Sequence, residues 1–415
     1  MLTQEFKAEW TTKMKIVFRF IFAYFSLYIF LMFVGGLFET PFKWIGKNIF
    51  NFSYNFEVSG NGSGDNTYAY ISLFVGIIAT IIITIAWSIL DSKRKSYNKA
   101  FYWFLKILRI FIIMAMLLYG FVKVFQIQFP YPSLTRMLEP LGNFSPMGLA
   151  WTYMGYSKGF NLFTGSLEII GGLLLIPRRT QTLGSFLVMG IMTHVAVMNF
   201  MFDIPVKILS VHLVLMSAVI FMTDYRRFVN VFFKNRPVEQ YEYYDPVNER
   251  GFDKIVFWVK SIGLALLIII GCIFGYSTEK SNGTKREKPY LYGMWEAKTF
   301  IKNNDTLPPL ITDDYRWHYL IVDYKGRATI KTMTNNKLYY TFEPDTTASK
   351  IKMYLKDNEL DISNYQYSYP NYSQLELEGF NNNDTLKIIF KRKDLDDFLL
   401  HSRGFHWINE SPLNK

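Results

Sequence analysis

Seven separate apolar runs occupy the first two-thirds of the chain, and each is about as long as a bilayer is thick. The runs cover residues 16–38, 69–90, 101–125, 159–176, 183–201, 205–222 and 255–276. No run of this kind follows. The pattern predicts an α-helical membrane bundle of about seven spans with one water-soluble domain at its C-terminal end.

Lysine and arginine are concentrated in alternate connections between these runs. The basic segments are Lys7–Arg19, Asp91–Lys99, Pro177–Arg179 and Arg226–Arg236. Because short basic loops remain in the cytoplasm, the N-terminus is predicted to be cytoplasmic and the C-terminal domain external. In a bacterial inner membrane, the external side is the periplasm.

The two longer outer connections differ in composition. Residues 39–68 hold an amphipathic aromatic piece, Phe42–Phe50, followed by a stretch at 59–65 that is rich in glycine, serine and asparagine. We expect an interfacial helix and then a flexible turn. Residues 126–158 are rich in proline, tyrosine and tryptophan, which predicts an ordered loop of the kind that often carries function.

After a polar linker at Ser277–Pro289, short runs of β-branched and aromatic residues alternate with polar residues. They are Trp295–Ile301, Trp317–Asp323, Ala328–Met333, Leu338–Phe342, Ile351–Leu355, Gln374–Leu377 and Thr385–Phe390. This pattern predicts an all-β antiparallel meander, closed or nearly closed into a small barrel, with a helical turn at Leu395–Leu400.

The first of these strands begins with Gly293-Met-Trp295, which is similar to the Gly-x-Trp start of lipocalin-like barrels. That resemblance implies a basic partner for the tryptophan, and Arg403 is the candidate. A tryptophan that only fills the barrel floor would give the same tripeptide.

These elements predict six segments. Residues 1–98 hold two spans and the outer amphipathic loop, and residues 99–230 form a four-span core. A cytoplasmic connector (231–254), a seventh span (255–276), a linker (277–289) and the β-domain (290–415) follow.

Composition excludes several classes of protein. The net charge of the 415-residue chain is +11, but much of the positive charge lies beside the apolar runs and sets orientation, so a nucleic-acid partner is not expected. The single cysteine, Cys272, excludes an intrachain disulfide, a CxxC pair and a cysteine zinc site. The first run is too long for a signal peptide. The chain shows no phosphate-binding loop, nucleophile elbow or HExxH helix, so no catalytic residue and no metal site are assigned.

Ionisable residues inside the apolar runs are costly and therefore informative. Arg109 and Glu168 each lie about eight residues from a cytoplasmic end, which places both at ~12 Å depth. We expect an ion pair or one shared polar network. Asn161, Glu168 and the glycines between and after them lie on one helix face, where small residues allow close helix contact. The pair could fix helix register, or it could form a substrate or proton site.

Two histidines, His194 and His212, also lie at similar depth on consecutive runs, nearer the outer side. They could bind haem or a metal, relay protons to a quinone, or make hydrogen bonds between helices. Asn199, at the mouth of the same hairpin, could extend the polar path.

Residues 101–222 resemble the four-span DoxX-like membrane family. The resemblance rests on Arg109, Tyr119-Gly-Phe-Val-Lys123, Leu167-Glu-Ile-Ile-Gly-Gly172 and Arg178–Gly184. Members often have His-Gly-x-x-Lys where this chain has Tyr119 to Lys123. Some members are similar to the membrane subunit of a thiosulfate:quinone oxidoreductase, and others are linked to redox-stress complexes. The resemblance thus implies a four-helix core that could hold a quinone-like ligand near His194, His212 and Lys123, with Tyr119 and Asn199 nearby.

Two functions follow from these observations. The first is a redox-associated membrane protein, at most an accessory subunit of a quinone-linked oxidoreductase; its cofactor stays unassigned, with a quinone possible and haem or a metal not expected. The second is a non-enzymatic scaffold, or a lipid- or small-ligand-binding protein, whose outer β-domain binds a periplasmic or membrane protein partner.

Overall fold

The computed structural model describes residues 9–56, 63–238, 252–356, 358–381 and 384–414, without the side chains of residues 252–257, 259–260 and 358–361. Lys7, part of the turn at 59–65 and most of the predicted connector at 231–254 lie outside these ranges. The described chain forms two compact units. The helical unit contains the described residues up to Phe129 together with Ser145–Glu279, and the barrel unit contains Pro130–Phe144 together with Lys280 onward.

An α-helix forms in each of the seven apolar runs. These helices are α1 (Thr12–Val34), α3 (Thr67–Leu90), α4 (Asn98–Val124), α7 (Lys158–Leu174), α8 (Gln181–Met201), α9 (Lys207–Met222) and α11 (Phe252–Asn282). The predicted interfacial helix is α2 (Glu39–Asn48). Shorter helices are α6 (Pro146–Tyr156) in the helical unit and α10 (Tyr225–Phe232) after α9.

Among the described residues, five helices are long and apolar enough to cross a membrane, or six if the bent pair α9 and α10 forms one span. This number is consistent with a multi-pass membrane protein and leaves the predicted number of seven unconfirmed. The helix at the fourth run, α7, has 17 residues and is therefore only ~26 Å long.

The outer surfaces of these helices are apolar, as a lipid solvent requires. On α11, Leu266, Ile270 and Phe274 each expose more than half of their surface. Side chains that would be buried in a soluble protein face outward here, because lipid tails are as apolar as the side chains themselves. The helical unit is therefore suited to contact with a bilayer.

The barrel unit contains a closed antiparallel sheet. Its strands are β1 (Gly293–Lys302), β2 (Asp305–Thr306), β3 (Trp317–Tyr324), β4 (Arg327–Thr332), β5 (Lys337–Asp345), β6 (Lys350–Leu355), β7 (Asn358–Asn371), β8 (Gln374–Asn381) and β9 (Asp384–Lys393). Each long strand pairs with the next, and β9 returns to pair with β1. Eight strands thus close a small barrel, and the two-residue β2 is an appendage of β1. The predicted helical turn is α12 (Leu399–Ser402).

Large side chains fill the barrel. Trp295, Phe300, Phe342 and Phe390 are all essentially inaccessible. Since an eight-stranded barrel is only wide enough for its own side chains or one small ligand, this core accounts for the interior. The indole of Trp295 donates to the carbonyl of Leu291 at 2.9 Å.

The basic partner of Trp295 is Arg392 on β9, whose guanidinium lies 5.4 Å from the ring centroid. The candidate Arg403 is wrong, because its guanidinium instead donates to the side-chain oxygen of Asn409. Arg392 is placed by strand closure, since it is the register partner of Trp295 across the β1–β9 pair.

Pro130–Phe144, which follows α4 along the chain, packs against the barrel; we refer to this segment as the strap. It contains the one-turn helix α5 (Leu134–Met137), and Leu134 is buried with Met294 and Ile321. The Asp323 carboxylate accepts from the Leu134 backbone N–H at 3.1 Å, and the Lys331 ammonium donates to the Leu138 carbonyl at 2.7 Å. The ordered outer loop predicted from composition is therefore ordered in part by the barrel.

Two of the strap contacts are made by the buried charged groups Asp323 and Lys331. Burial raises the pKa of Asp323, although the neighbouring Arg286 guanidinium and the Leu134 N–H act in the opposite direction. Burial also lowers the pKa of Lys331. Both groups carry a desolvation cost that their strap contacts partly offset.

We expect residues 280–415 to fold alone as a β-barrel, because its core lies entirely between Leu291 and Phe390. A synthetic peptide of residues 130–144 should bind this fragment and raise the melting temperature of the fragment. The peptide supplies Leu134 to its apolar site on the barrel and a carbonyl acceptor to the Lys331 ammonium. Calorimetry with and without the peptide measures both effects.

A peptide carrying Leu134→Asp should have much less effect, because a carboxylate would enter an apolar site. A helix-dominated spectrum for the fragment, or equal stabilisation by both peptides, would contradict this account.

Candidate functional site

Helices α4 and α7 cross in close contact because glycines meet at the crossing. A Cβ atom added to Gly165 would lie 2.7 Å from the Gly120 carbonyl oxygen, closer than such atoms approach. One added to Gly172 would lie 3.0 Å from the Met116 Cβ. The predicted small-residue face on α7 is therefore confirmed as the contact face with α4.

The crossing buries an ion pair between Lys123 on α4 and Glu168 on α7. The Lys123 ammonium donates to Oε1 of Glu168, and the two side chains are 6% and 2% exposed. Within the described part of the chain, the other carboxylate oxygen, Oε2, is buried without a hydrogen-bond partner. One acceptor of a buried carboxylate is thus available to another group.

Arg109 does not occupy the position expected opposite Glu168. Its guanidinium donates to the carbonyls of Leu175, at 2.9 Å, and Ile176, at 2.6 Å. Because Gly120 lies opposite Gly165 and Met116 opposite Gly172, Arg109 is level with the last turn of α7. The depth estimate assumed that both helices begin at the same level, whereas the first turns of α4 extend past the end of α7. The cation that pairs with Glu168 is therefore Lys123.

Asn161 lies on the same buried face of α7, one turn before Gly165. Its amide nitrogen donates to the carbonyls of Met154, at 2.7 Å, and Ser157, at 3.3 Å, so it secures the junction between α6 and α7. Its side-chain oxygen is a second buried acceptor without a partner among the described residues.

An apolar groove of about 850 Å³ lies between α7 and α8, with Lys123 and Glu168 among its lining residues; we refer to it as the apolar groove. Its other lining residues are mainly aromatic and aliphatic, among them Phe160, Phe163, Leu167, Phe186, Leu187 and Met198. The volume falls within the range of small-molecule sites, and few polar groups converge on it.

The two histidines do not form one site. His194 lines the apolar groove and is exposed on its surface. His212 is buried elsewhere, where its Nε2 lies 2.8 Å from the Tyr24 hydroxyl and its ring stacks on Tyr28 at 3.7 Å between centroids. Equal depth on neighbouring helices does not determine the direction in which a side chain points. His194 faces the apolar groove, whereas His212 faces Tyr24 on α1.

The remaining predicted pocket residues are also divided. Asn199 donates to the Val206 carbonyl and to the Ser210 hydroxyl, both at 3.1 Å, and so closes the α8–α9 hairpin. Tyr119 lines a different cavity, although its ring centroid is 6.0 Å from the Lys123 ammonium. Of the predicted pocket and network residues, Lys123, Glu168 and His194 line the apolar groove.

Sequence reasoning missed Tyr24, Tyr28 and the role of Arg19. Arg19 is 3% exposed within α1 and donates to the Tyr97 hydroxyl at 2.7 Å and to the Ser88 hydroxyl at 3.0 Å. The basic-loop pattern uses Arg19 only as a topology signal, yet its position inside an apolar run marks it as a group that needs buried partners. The two tyrosines carry no such signal, because tyrosine is common in apolar helices.

No group of three histidine, cysteine, aspartate or glutamate side chains that could hold a metal ion occurs among the described residues. Glu168 stands alone as a carboxylate in the apolar groove. The arrangement is suited to an organic head group that forms hydrogen bonds.

Comparison with known proteins gives one informative match. A relative from Bacillus subtilis (strain 168), described as the uncharacterized protein YwoB, is 33% identical over 131 residues, which cover 32% of this chain and 82% of the relative. The chain belongs to the family of YwoB. The description of YwoB names no activity, so membership brings none to this chain. No family model and no solved structure matches the chain.

We expect Glu168→Gln and Lys123→Met each to destabilise the protein in detergent by about 3–5 kcal/mol, because each leaves an uncompensated buried charge or donor. The double variant should lose less stability than the sum of the two single losses, because neither charge is then left buried without its partner. Thermal or denaturant unfolding measures the three values.

Arg109→Gln combined with Glu168→Gln provides the matched comparison, because these side chains do not meet. Their losses should add to within ~0.5 kcal/mol. Additivity in the Lys123 pair, or coupling in the Arg109 pair, would show that the ion pair has been assigned wrongly.

Proposed function

We propose that the protein binds an apolar membrane molecule in the apolar groove and recognises its polar head group with Lys123 and Glu168. The observation that carries the proposal is the buried ion pair at the apolar groove, with Glu168 Oε2 still available as an acceptor. A buried ion pair often contributes little net stability compared with apolar side chains of the same volume. A ligand-binding role therefore accounts for these two charged residues better than a role in stability.

A quinone is the ligand class that fits these groups best. Its carbonyl oxygens would accept from the Lys123 ammonium, and a hydroxyl of the reduced form would donate to Glu168 Oε2. His194 on the groove surface would lie within the same lining. A quinone supplies two-electron redox chemistry when bound, while the chain supplies binding, orientation and exclusion of water.

The resemblance of residues 101–222 to the DoxX-like family agrees with this proposal. The motifs that carry the resemblance include Lys123 and Glu168, the two residues that meet in the structure. We propose on this basis that α4, α7, α8 and α9 are a DoxX-like core and that the protein is redox-associated.

A lipid-binding function without redox chemistry is the second candidate. The apolar groove favours lipid binding as strongly as quinone binding, because acyl chains would pack against the same aromatic and aliphatic walls. The filled barrel interior moves any recognition by the β-domain to its outer surface.

Seven spans are also part of the proposal, and the strap supports the count. The strap follows α4, the barrel follows α11, and both belong to one compact unit, so they lie on one side of the membrane. The intervening helices must then cross an even number of times. Crossings by α7, α8, α9 and α11 satisfy this condition, whereas omission of α7 alone would leave three. With basic loops in the cytoplasm, strap and barrel are external, which in a bacterial inner membrane is the periplasm.

We expect Gly190→Leu to abolish binding of a short-chain isoprenoid quinone. Gly190 lines the apolar groove, and an added Cβ there meets no atom within 4 Å, so the larger side chain enters open space. Titration of the quinone into purified protein, followed by fluorescence or calorimetry, gives the affinity.

Gly263→Leu on α11 is the matched control, because it makes the same change at a membrane-helix glycine with equally open space, away from the apolar groove. Glu168→Gln should weaken binding by about 1–3 kcal/mol through an unmet buried hydrogen bond. Equal affinity for an alkyl lipid without the quinone ring would favour the lipid-binding function, and unchanged binding in Gly190→Leu would remove the site.

Topology is tested with single cysteines in a Cys272→Ser background. Leu141→Cys on the strap and Trp407→Cys after the barrel, at 70% and 90% exposed positions, should both react with a membrane-impermeant maleimide in intact cells. Arg236→Cys should react only after permeabilisation. Labelling of the first two sites from opposite sides would refute the even crossing count.

A further inference from the structure

A cavity of about 650 Å³ lies among α1, α3, α4 and α9, and the proposed function makes no use of it. Four tyrosines line it, namely Tyr24, Tyr28, Tyr68 and Tyr119, and we refer to it as the tyrosine cavity. Apolar walls complete it, and none of its described lining residues is charged. Its volume suits a small molecule, and its lining suits a neutral one.

Asp65 holds one part of the wall of the tyrosine cavity in place. Ser63, Gly64 and Asn66 line the cavity, and the carboxylate of Asp65 between them accepts from the backbone N–H groups of Lys207, at 2.6 Å, and Ile208, at 3.0 Å. A carboxylate at a helix N-terminus is a stabilising cap. The polar turn is thus attached to α9, which contributes Ile208 and Leu209 to the lining.

Hydrogen bonds around His212 determine its tautomer. Nδ1 lies 2.7 Å from the carbonyl oxygen of Ile208, which can only accept, so Nδ1 carries a proton. In the neutral ring Nε2 is then an acceptor, and the Tyr24 hydroxyl, at 2.8 Å, donates to it. Stacking on Tyr28 holds the ring plane.

This arrangement gives the tyrosine cavity a definite hydrogen-bond polarity. Because the Tyr24 proton is directed to His212, the Tyr24 oxygen presents lone pairs that can accept. Tyr68 donates to the Gly35 carbonyl. The hydroxyls of Tyr28 and Tyr119 have no hydrogen-bond partner within the described part of the chain, so they can orient toward a ligand.

We propose that the tyrosine cavity is a second binding site, for a small neutral aromatic molecule with a hydroxyl group. The ligand hydroxyl donates to the oxygen of Tyr24, and its ring lies among the tyrosine rings, which favour offset or edge-on aromatic contacts. The hydroxyls of Tyr28 and Tyr119 supply donors to any second oxygen. This site is distinct from the apolar groove and does not depend on a ligand there.

The test uses para-cresol and its O-methyl ether, which differ only in the hydroxyl proton and one methyl group. Full-length protein is labelled with nitrogen-15 at histidine, and the His212 signals are those that disappear in His212→Gln. We expect para-cresol to shift them saturably and the ether to bind at least 3-fold more weakly, since a typical hydrogen bond corresponds to about 3- to 10-fold in affinity.

Two variants make the result specific. Tyr24→Phe keeps the ring and removes the acceptor, and it should weaken para-cresol binding by about 3- to 10-fold. Tyr70→Phe, at an exposed tyrosine on α3 outside the tyrosine cavity, should leave it unchanged. Ser72→Leu places a larger side chain on the cavity wall and should exclude para-cresol, which remains decisive if Tyr24→Phe does not fold.

Equal binding of cresol and ether, or full binding by Ser72→Leu, would overturn the proposal. Gly190→Leu separates this site from the apolar groove, because it should leave para-cresol binding intact while removing the quinone. Loss of para-cresol binding in Gly190→Leu would mean that the molecule enters the apolar groove instead.

Discussion

The packing of α4 against α7 depends on the buried ion pair between Lys123 and Glu168. A lysine and a glutamate can leave water only if they meet at short range and their neighbours exclude solvent. The glycines at the α4–α7 crossing supply that condition, because Gly120 and Gly165 allow the two backbones to touch. The same close approach sets the register of α7, and with it the wall of the apolar groove. Packing, register and site chemistry therefore depend on one crossing.

Helical periodicity was sufficient to identify the two faces that meet, but not which cation reaches Glu168. Faces follow from spacing along one helix, and the sequence contains that information directly. Register between two helices depends on where each begins relative to the other, and apolar run lengths measure this poorly. Arg109 and Lys123 lie on the same face of α4, about four turns apart. An offset that moves Arg109 two turns away from Glu168 therefore brings Lys123 within reach of it. His194 and His212 show the related limit, because depth does not report which face of a helix a side chain occupies.

The barrel was predicted more completely, since alternation along each strand reports both element and orientation. Its missed strand, β7, explains the limit. Among its described side chains, Ser363, Tyr365 and Tyr367 are buried, and they alternate with the exposed Asn364, Gln366 and Ser368. Tyrosine and serine facing the core give a weak apolar signal. Strand β7 is therefore recognisable only from its pairing with the neighbouring strands β6 and β8. Arg392 likewise follows from closure of the sheet, because its position beside Trp295 is set by pairing between the first and last strands.

The strap makes the barrel unit discontinuous along the chain, and this has a consequence for biogenesis. Residues 130–144 emerge from the ribosome before residues 145–279, and their binding surface on β3 and β4 is made only after α11 has been synthesised. During that interval Leu134 lacks Met294 and Ile321, the residues that bury it, and the strap is exposed to proteases or chaperones. The last step of assembly therefore joins the strap to the barrel across the 135 residues of chain that separate them.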